Sequence, residues 1–125
     1  MREIVETKDA PAPVGPYSQA IRANGFVYVS GQIPLNPETG QMAGGDIAAQ
    51  THQTMQNLSA ILKAAGSGLE RVVKTTVFLA NLDDFSGFNE VYGAYFGETK
   101  PARATVQVSR LPKDALVEIE AVAVA

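Results

Sequence analysis

Two runs near the C-terminal end of the chain alternate between apolar and polar residues. In the first run, at positions 103–109, small apolar residues alternate with Arg103, Thr105, Gln107 and Ser109. In the second, at positions 117–121, they alternate with Glu118 and Glu120. A period of two is typical of half-buried strands. We expect the two strands to pair as a hairpin about the polar link 111–114, with Arg103 opposite Glu120 and Thr105 opposite Glu118.

Earlier strands are predicted by β-branched and aromatic runs that end at turn residues. A short strand is expected at residues 3–7, before a loop at 10–17 that three prolines stiffen. The runs 21–23 and 26–30 flank Asn24-Gly25, which is typical of a two-residue hairpin turn. The Val- and Thr-rich run 71–80 predicts a central strand.

Two segments have helical rather than strand periodicity. The first is expected from Asp46, as N-cap, to Ala65, with Gly66 as its stop. Its apolar stripe consists of Ile47, Thr51, Met55, Leu58, Ile61, Leu62 and Ala65. The second is expected from a cap at Asp83 or Asp84 to Phe96, ending at Gly97.

The order of these elements predicts an α+β fold. Two helices can cover only one face of a mixed sheet with this many strands, so the other face is left open. We place Thr105, Gln107, Leu116, Val122 and Val124 on that open face. Because a half-apolar sheet face seldom remains in water, we expect self-association to bury it.

Composition narrows the classes of function. The 125 residues are expected to form one domain, 1–125, with a net charge of −3 and basic residues scattered singly. Without a block of Lys or Arg, sequence-independent nucleic-acid binding is disfavoured. There is no cysteine, no apolar run of membrane-spanning length and no signal-like N-terminus, which favours a soluble, cytoplasmic protein.

Candidate chemistry is sparse, and each candidate has a simpler structural interpretation. Arg103 beside a glutamate on rigid strands is a candidate binding site for a small anion, although such arginine–glutamate pairs are more often surface ion pairs. His52, the only histidine, lies off the apolar stripe of its helix and is interpreted as solvated. Nothing has the spacing of a metal site or of a phosphate-binding glycine loop, so no metal or cofactor is expected.

Four further residues stand where a ligand contact is conceivable. Tyr17 ends the proline loop, where its hydroxyl reaches a ligand or anchors the loop. Ser30 and Gly31 end a strand and offer a hydroxyl and a closely approachable backbone, or form a plain turn. Asn89 lies between apolar positions of the second helix, where a surface or inter-subunit hydrogen bond is the default interpretation.

Taken together, five segments resemble the RidA/YjgF family of imine deaminases, also described as translation-inhibitor or endoribonuclease proteins. They are APAPVGPYSQA at 10–20, VSGQIPLNPETG at 29–40, VVKTTVFLANLDDF at 72–85, PAR at 101–103 and RLPKDALVEIEAVAV at 110–124. The resemblance is colinear and spans nearly the whole chain. It implies a chorismate-mutase-like fold that forms a homotrimer, with sheets around a central barrel, helices outside and ligand clefts between subunits.

The implied reaction is the cofactor-free hydrolysis of 2-iminopropanoate and 2-iminobutanoate to 2-oxo acids and ammonia. On this resemblance Arg103 would bind the substrate carboxylate as a bidentate fork, and Glu118 would orient or deprotonate the attacking water. A main-chain carbonyl near Thr105 would accept a hydrogen bond from the imine. The cleft would be completed by Tyr17, Ser30, Gly31 and Asn89.

One departure from the family pattern is Ala104-Thr105, where many members have Ser-Cys. Threonine has nearly the same shape as cysteine and is a firmer hydrogen-bond donor, so substrate preference can differ. Two rival functions remain open: a non-catalytic protein that binds 2-oxo acids and regulates a partner, and an endoribonuclease. The acidic balance of the chain disfavours the second.

Overall fold

The computed structural model describes residues 2–125 and contains one six-stranded sheet in the order β1-β2-β3-β6-β4-β5. Its strands are β1 Arg2–Val5, β2 Ala20–Ala23, β3 Phe26–Gln32, β4 Val72–Leu79, β5 Ala102–Gln107 and β6 Val117–Val124. Its two α-helices are α1 Ile47–Ala64 and α2 Phe85–Phe96. The predicted α+β class is confirmed, and the predicted elements are present with small shifts at their ends.

The local signals at turns and helix ends act as expected, with one exception. Asn24 and Gly25 adopt positive φ values of 52° and 82° between β2 and β3, as a two-residue hairpin requires. Asp46 caps α1 by accepting a hydrogen bond from the backbone N–H of Ala49 at 3.0 Å. Asp84 makes no side-chain cap bond to α2; Asn81 instead caps the 3₁₀ turn that leads into the helix.

The predicted hairpin between the last two strands is wrong. β4 lies between them, parallel to β5 and antiparallel to β6. α2 carries the chain from β4 to β5, as parallel neighbours require, and residues 108–116 then cross the end of β4 to start β6. Two hydrogen bonds hold that crossing to β4, from Val108 N–H to the Leu79 carbonyl and from Ala80 N–H to the Leu116 carbonyl. The alternation was identified correctly, but it does not specify which strand is the neighbour.

Both helices pack on one face of the sheet and enclose the core. Fully buried side chains of α1, α2 and the central strands meet there, among them Met55, Leu58, Ile61, Leu62, Val77, Leu79, Phe88, Val117 and Ile119. Each large apolar side chain buried in this way stabilises the fold by about 1.5–3 kcal/mol. Within residues 2–125, no helix has the length and apolar character needed to cross a membrane.

The register of the central strands decides which side chains point away from the helices. Glu118 pairs with Phe78 and Glu120 with Thr76, whereas Arg103 pairs with Thr75, whose side chain is buried against the helices. Residues paired directly across a sheet share a face. Arg103 is therefore on the helix-covered face, and both glutamates are on the open face.

Of the five residues expected on the open face, three lie elsewhere. Thr105 and Gln107 pair with the buried Val77 and Leu79, so they lie on the helix side, and Leu116 packs against the core. Val122 and Val124 do lie on the open face, as expected, since they pair with Tyr28 and Phe26. That face exposes apolar and aromatic side chains, with Phe26 at 39%, Tyr28 at 47%, Val106 at 43% and Val124 at 41%. Such a surface on a sheet is typical of an interface.

Candidate functional site

A cavity of about 590 Å³ opens on the face that the helices leave uncovered. It brings together four of the residues predicted to form the site, Tyr17, Ser30, Gly31 and Glu118, with Glu120 beside them. Three segments distant in sequence build it: the proline loop, the end of β3 and the start of β6.

Gly31 and Glu118 are in close contact within this cavity. The β3–β6 register shifts between Val29 and Gln32, which places Gly31 in an irregularity of the ladder. A Cβ atom built on Gly31 would overlap Oε2 of Glu118 and lie 2.9 Å from its Cδ. The glutamate side chain therefore lies across the glycine, and only a residue without a side chain leaves it that room.

The carboxyl group of Glu118 is electrostatically perturbed. Its half-buried position raises the pKa above the ordinary value, since burial disfavours the charged form, and the nearby Glu120 carboxylate raises it further. A carboxylate with a raised pKa is a stronger base than one in water. It is suited to holding a water molecule and accepting its proton.

Hydrogen bonds to Gln19 and Ser30 anchor the loop that carries Tyr17. Gln19 is 2% exposed; its Oε1 accepts from Thr7 N–H at 2.7 Å, and its Nε2 donates to the carbonyls of Thr7, Ala10 and Pro11. The hydroxyl of Ser30 donates to the Ser18 carbonyl at 2.6 Å. Ser30 thus lines the cavity while its hydroxyl proton is committed to the loop.

Tyr17 extends beside the cavity with its side chain half exposed. Its hydroxyl oxygen accepts one long hydrogen bond, 3.4 Å, from Val14 N–H. The hydroxyl proton has no acceptor among residues 2–125. Tyr17 therefore has both a weak anchoring contact and a donor free for a ligand.

Arg103 is the centre of a second cluster, on the other side of the sheet. Its Nη1 donates to Oδ1 of Asn89 at 2.8 Å. Its guanidinium lies 5.4, 5.6 and 4.9 Å from the ring centres of Phe85, Phe88 and Tyr92. Aromatic faces stabilise a cation at these distances without neutralising its charge. In the part of the chain described, the one salt bridge joins Arg110 and Asp114, so Arg103 has no carboxylate partner.

A second, shallower pocket of about 500 Å³ adjoins this cluster and is lined by Asn89, Tyr92 and Arg103. Burial raises the pKa of the Tyr92 hydroxyl, opposed by its hydrogen bond to Thr75 and by the charge of Arg103. Thr105, two residues beyond Arg103 on β5, has a buried hydroxyl with no hydrogen-bond partner in the structure. An unpaired guanidinium in an aromatic setting is a receptor for a small carboxylate.

Comparison with known proteins identifies the family of the chain that carries these two clusters. The family described as Endoribonuclease L-PSP matches residues 7–125. The chain belongs to this family. A RutC family protein of Pyrococcus horikoshii is 56% identical over 98% of this chain and 98% of its own length. The mouse protein named 2-iminobutanoate/2-iminopropanoate deaminase is 48% identical over 99% of this chain and 92% of its own length.

Structural comparison agrees with the sequence. The crystal structure of a Rid family protein of unknown function from Yersinia pestis superposes with a TM-score of 0.97 at 50% identity, covering 100% of both chains. The resemblance to the RidA/YjgF family is thereby confirmed, together with the α+β fold that it implied.

Within the single chain, this family fold does not bring all the predicted site residues together. Arg103 and Asn89 form one cluster, whereas Glu118 and Tyr17 belong to the other, on the opposite face of the sheet. The expectation that one hairpin presents the arginine and the glutamates side by side is therefore wrong.

Two features of the cavity lay outside the prediction. Gln19 lies in one of the family motifs, but no role is predicted for it. The signal for its anchoring role is its position just after a proline-rich loop whose backbone groups lack regular hydrogen-bond partners. Lys113 lines the cavity although its link was interpreted as a simple turn.

His52 is exposed, as expected; its Nδ1 lies 2.6 Å from the Tyr95 hydroxyl, outside both clusters. Across residues 2–125, no three His, Asp or Glu side chains are grouped to hold a metal ion.

Proposed function

We propose that this protein is a 2-imino acid deaminase that hydrolyses 2-iminopropanoate and 2-iminobutanoate to the 2-oxo acids and ammonia. Relatives with this named activity are nearly half identical to it along almost the whole chain. The observation that carries the proposal is the presence, in two separate clusters, of an unneutralised guanidinium and a carboxyl group of raised pKa. These are the two groups needed to bind an anionic imine and to activate water.

The same proposal requires more than one copy of the chain. Arg103 and Glu118 lie on opposite faces of one sheet, so a substrate of three or four carbons cannot contact both within a subunit. β5 is an edge strand, which leaves Arg103 open to approach from a second subunit. The exposed apolar face beside Glu118 favours the same association, which we take to be a homotrimer.

In the assembled site, Arg103 of one subunit binds the substrate carboxylate and Asn89 holds the guanidinium in place. A main-chain carbonyl near Thr105 accepts a hydrogen bond from the imine nitrogen, which favours the protonated and more electrophilic iminium. Tyr17 of the partner subunit closes over the substrate, and the backbone at Ser30 and Gly31 of the partner subunit borders it, since these residues share a cavity with Glu118.

The partner subunit contributes Glu118, which orients water against the imine carbon. As the water oxygen bonds to that carbon, Glu118 accepts a water proton, and the C=N double bond becomes a C–N single bond. Glu118 then returns the proton to nitrogen. As the C–N bond breaks and ammonia leaves, the hydroxyl proton of the intermediate passes to Glu118 and the C=O double bond of the 2-oxo acid forms. Glu118 gives this last proton to the departing ammonia, which leaves as ammonium. A raised pKa suits these proton transfers.

The test is turnover of imines generated in situ by an amino-acid oxidase. We expect the wild type to accelerate hydrolysis and Arg103→Ala and Glu118→Gln to lose it. Arg2→Ala is the matched control, since this arginine is exposed on the edge strand β1 and belongs to neither cluster, and it should retain activity. A wild type that binds 2-oxobutanoate in calorimetry without turnover would contradict catalysis and support the rival function, binding of 2-oxo acids.

A further inference from the structure

Lys113 is the one basic residue among the described residues that line the larger cavity. Glu118 and Glu120 line the same cavity, and the whole chain carries a net charge of −3. An anionic ligand that enters this cavity therefore meets two carboxylates and a negative background field. With Arg103 on the other face of the sheet, Lys113 is the cation that offsets this repulsion within the subunit.

The backbone at Lys113 is unusual for a lysine. Lys113 and Asp114 both have positive φ, at 56° and 57°, a conformation that glycine adopts freely and L side chains disfavour. Strained residues of this kind cluster at ligand clamps and active sites. A lysine at this position keeps a charged side chain where glycine would be easier to accommodate.

The surrounding contacts hold this strained link in place. Leu111 and Ala115 are buried on either side of it. Asp114 N–H donates to the Leu111 carbonyl at 3.1 Å, and the Asp114 carboxylate accepts from Nε of Arg110 at 2.8 Å. Lys113 is thus presented at the cavity from a fixed backbone, while its own side chain is exposed.

We propose that Lys113 is a specificity-determining residue that draws anionic substrates into the cavity against Glu118 and Glu120. This role rests on the proposed deaminase function. Lys113 acts on the approach of the substrate carboxylate, before Arg103 of the neighbouring subunit binds it. Loss of the ammonium should therefore lower kcat/KM through KM and leave kcat nearly unchanged.

The test compares Lys113→Glu with Lys63→Glu, which makes the same charge change at an exposed position in the last turn of α1. With 2-iminobutanoate at low ionic strength, we expect Lys113→Glu to lower kcat/KM about fivefold, with the deficit largely screened at ~0.5 M NaCl. Unchanged kcat/KM, a deficit that persists in salt, or an equal loss in Lys63→Glu would overturn the proposal.

Lys113→Gly separates function from structural support. Because glycine accepts the positive φ, the melting temperature of the Lys113→Gly variant should equal or exceed that of the wild type, while its kcat/KM falls. A lysine that served only to support the link would lose stability and activity together. That joint loss would refute the assignment.

Calorimetry with 2-oxobutanoate keeps this test independent of turnover. If the wild type binds the oxo acid but does not hydrolyse imines, the deaminase proposal fails. Weaker binding by Lys113→Glu than by Lys63→Glu would then still support the role of Lys113, and equal binding would overturn it. A wild type that neither binds nor turns over would overturn both.

Discussion

Replacement of Gly31 by alanine tests how Glu118 is positioned. The added Cβ would overlap Oε2 of Glu118 and approach its Cδ to 2.9 Å, so the carboxyl group has to move by about an ångström or more. A displacement of this size at a catalytic group costs about 10²-fold in rate. We therefore expect kcat/KM to fall about 10²-fold. Stability should change little, because the atoms that must move are the far end of a flexible, half-buried side chain.

The pH profile gives this substitution a second measurement. Glu118 has a raised pKa because it is half-buried, so pushing it toward solvent should lower that pKa. Activity that requires the carboxylate falls as pH drops through its pKa. The acid limb of the kcat/KM profile should therefore move to lower pH in Gly31→Ala.

The matched control is Gly44→Ala. Nothing lies within 4 Å of a Cβ built on Gly44, and this glycine has no positive φ. It should keep wild-type kinetics and stability. Wild-type kcat/KM and an unmoved acid limb in Gly31→Ala would refute the reasoning that this glycine positions the glutamate.

Three further substitutions probe the site by stability. Glu118→Gln should stabilise the protein at pH 7, because the pKa of Glu118 is higher in the folded state than in the unfolded state and ionisation therefore opposes folding. In urea titrations the gain should vanish below pH 4.5, the ordinary pKa, where the carboxyl group is protonated in both states. A loss of stability at pH 7 would contradict this. Thr105→Val should be stabilising by about 1 kcal/mol in the same assay, because it removes a buried hydroxyl without a partner, whereas a loss would reveal an interaction of that hydroxyl. Gln19→Leu should destabilise by about 2–4 kcal/mol, since Thr7, Ala10 and Pro11 lose hydrogen bonds in a buried site, and a near-neutral effect would refute its anchoring role.

The elements of this fold were predictable because their signals are local. The Asn24-Gly25 turn, the Asp46 cap and the stop at Gly66 depend on backbone preferences of single residues, and each acts as expected. The helical stripe of α1 is buried because it repeats at the period of the helix.

The arrangement of the last two strands was not predictable from alternation. An alternating pattern shows only that one face of a strand is buried, and β5 can bury that face equally well beside β4 or beside β6. The insertion of β4 depends on contacts between distant segments. It transfers Arg103 to the face opposite Glu118, which changes the expected site from one hairpin to two separate clusters.

The motifs located the chemistry better than the periodicity did. Tyr17, Ser30, Gly31 and Glu118 do line one cavity, and Asn89 does contact Arg103. The aromatic side chains around Arg103 were not predicted to contact it, because helical spacing alone does not reveal that a guanidinium from another element will lie against a helix.

Complementation between two inactive variants tests the central claim, that one site takes its guanidinium and its carboxylate from different subunits. Arg103→Ala and Glu118→Gln would be unfolded together in equal amounts, refolded to allow mixed assembly, and assayed for imine hydrolysis. Random mixing gives about one quarter of the interfaces an intact Arg103 on one side and an intact Glu118 on the other, so we expect about one quarter of wild-type activity. Activity no higher than that of either variant alone, in verified mixed assemblies, would contradict the account.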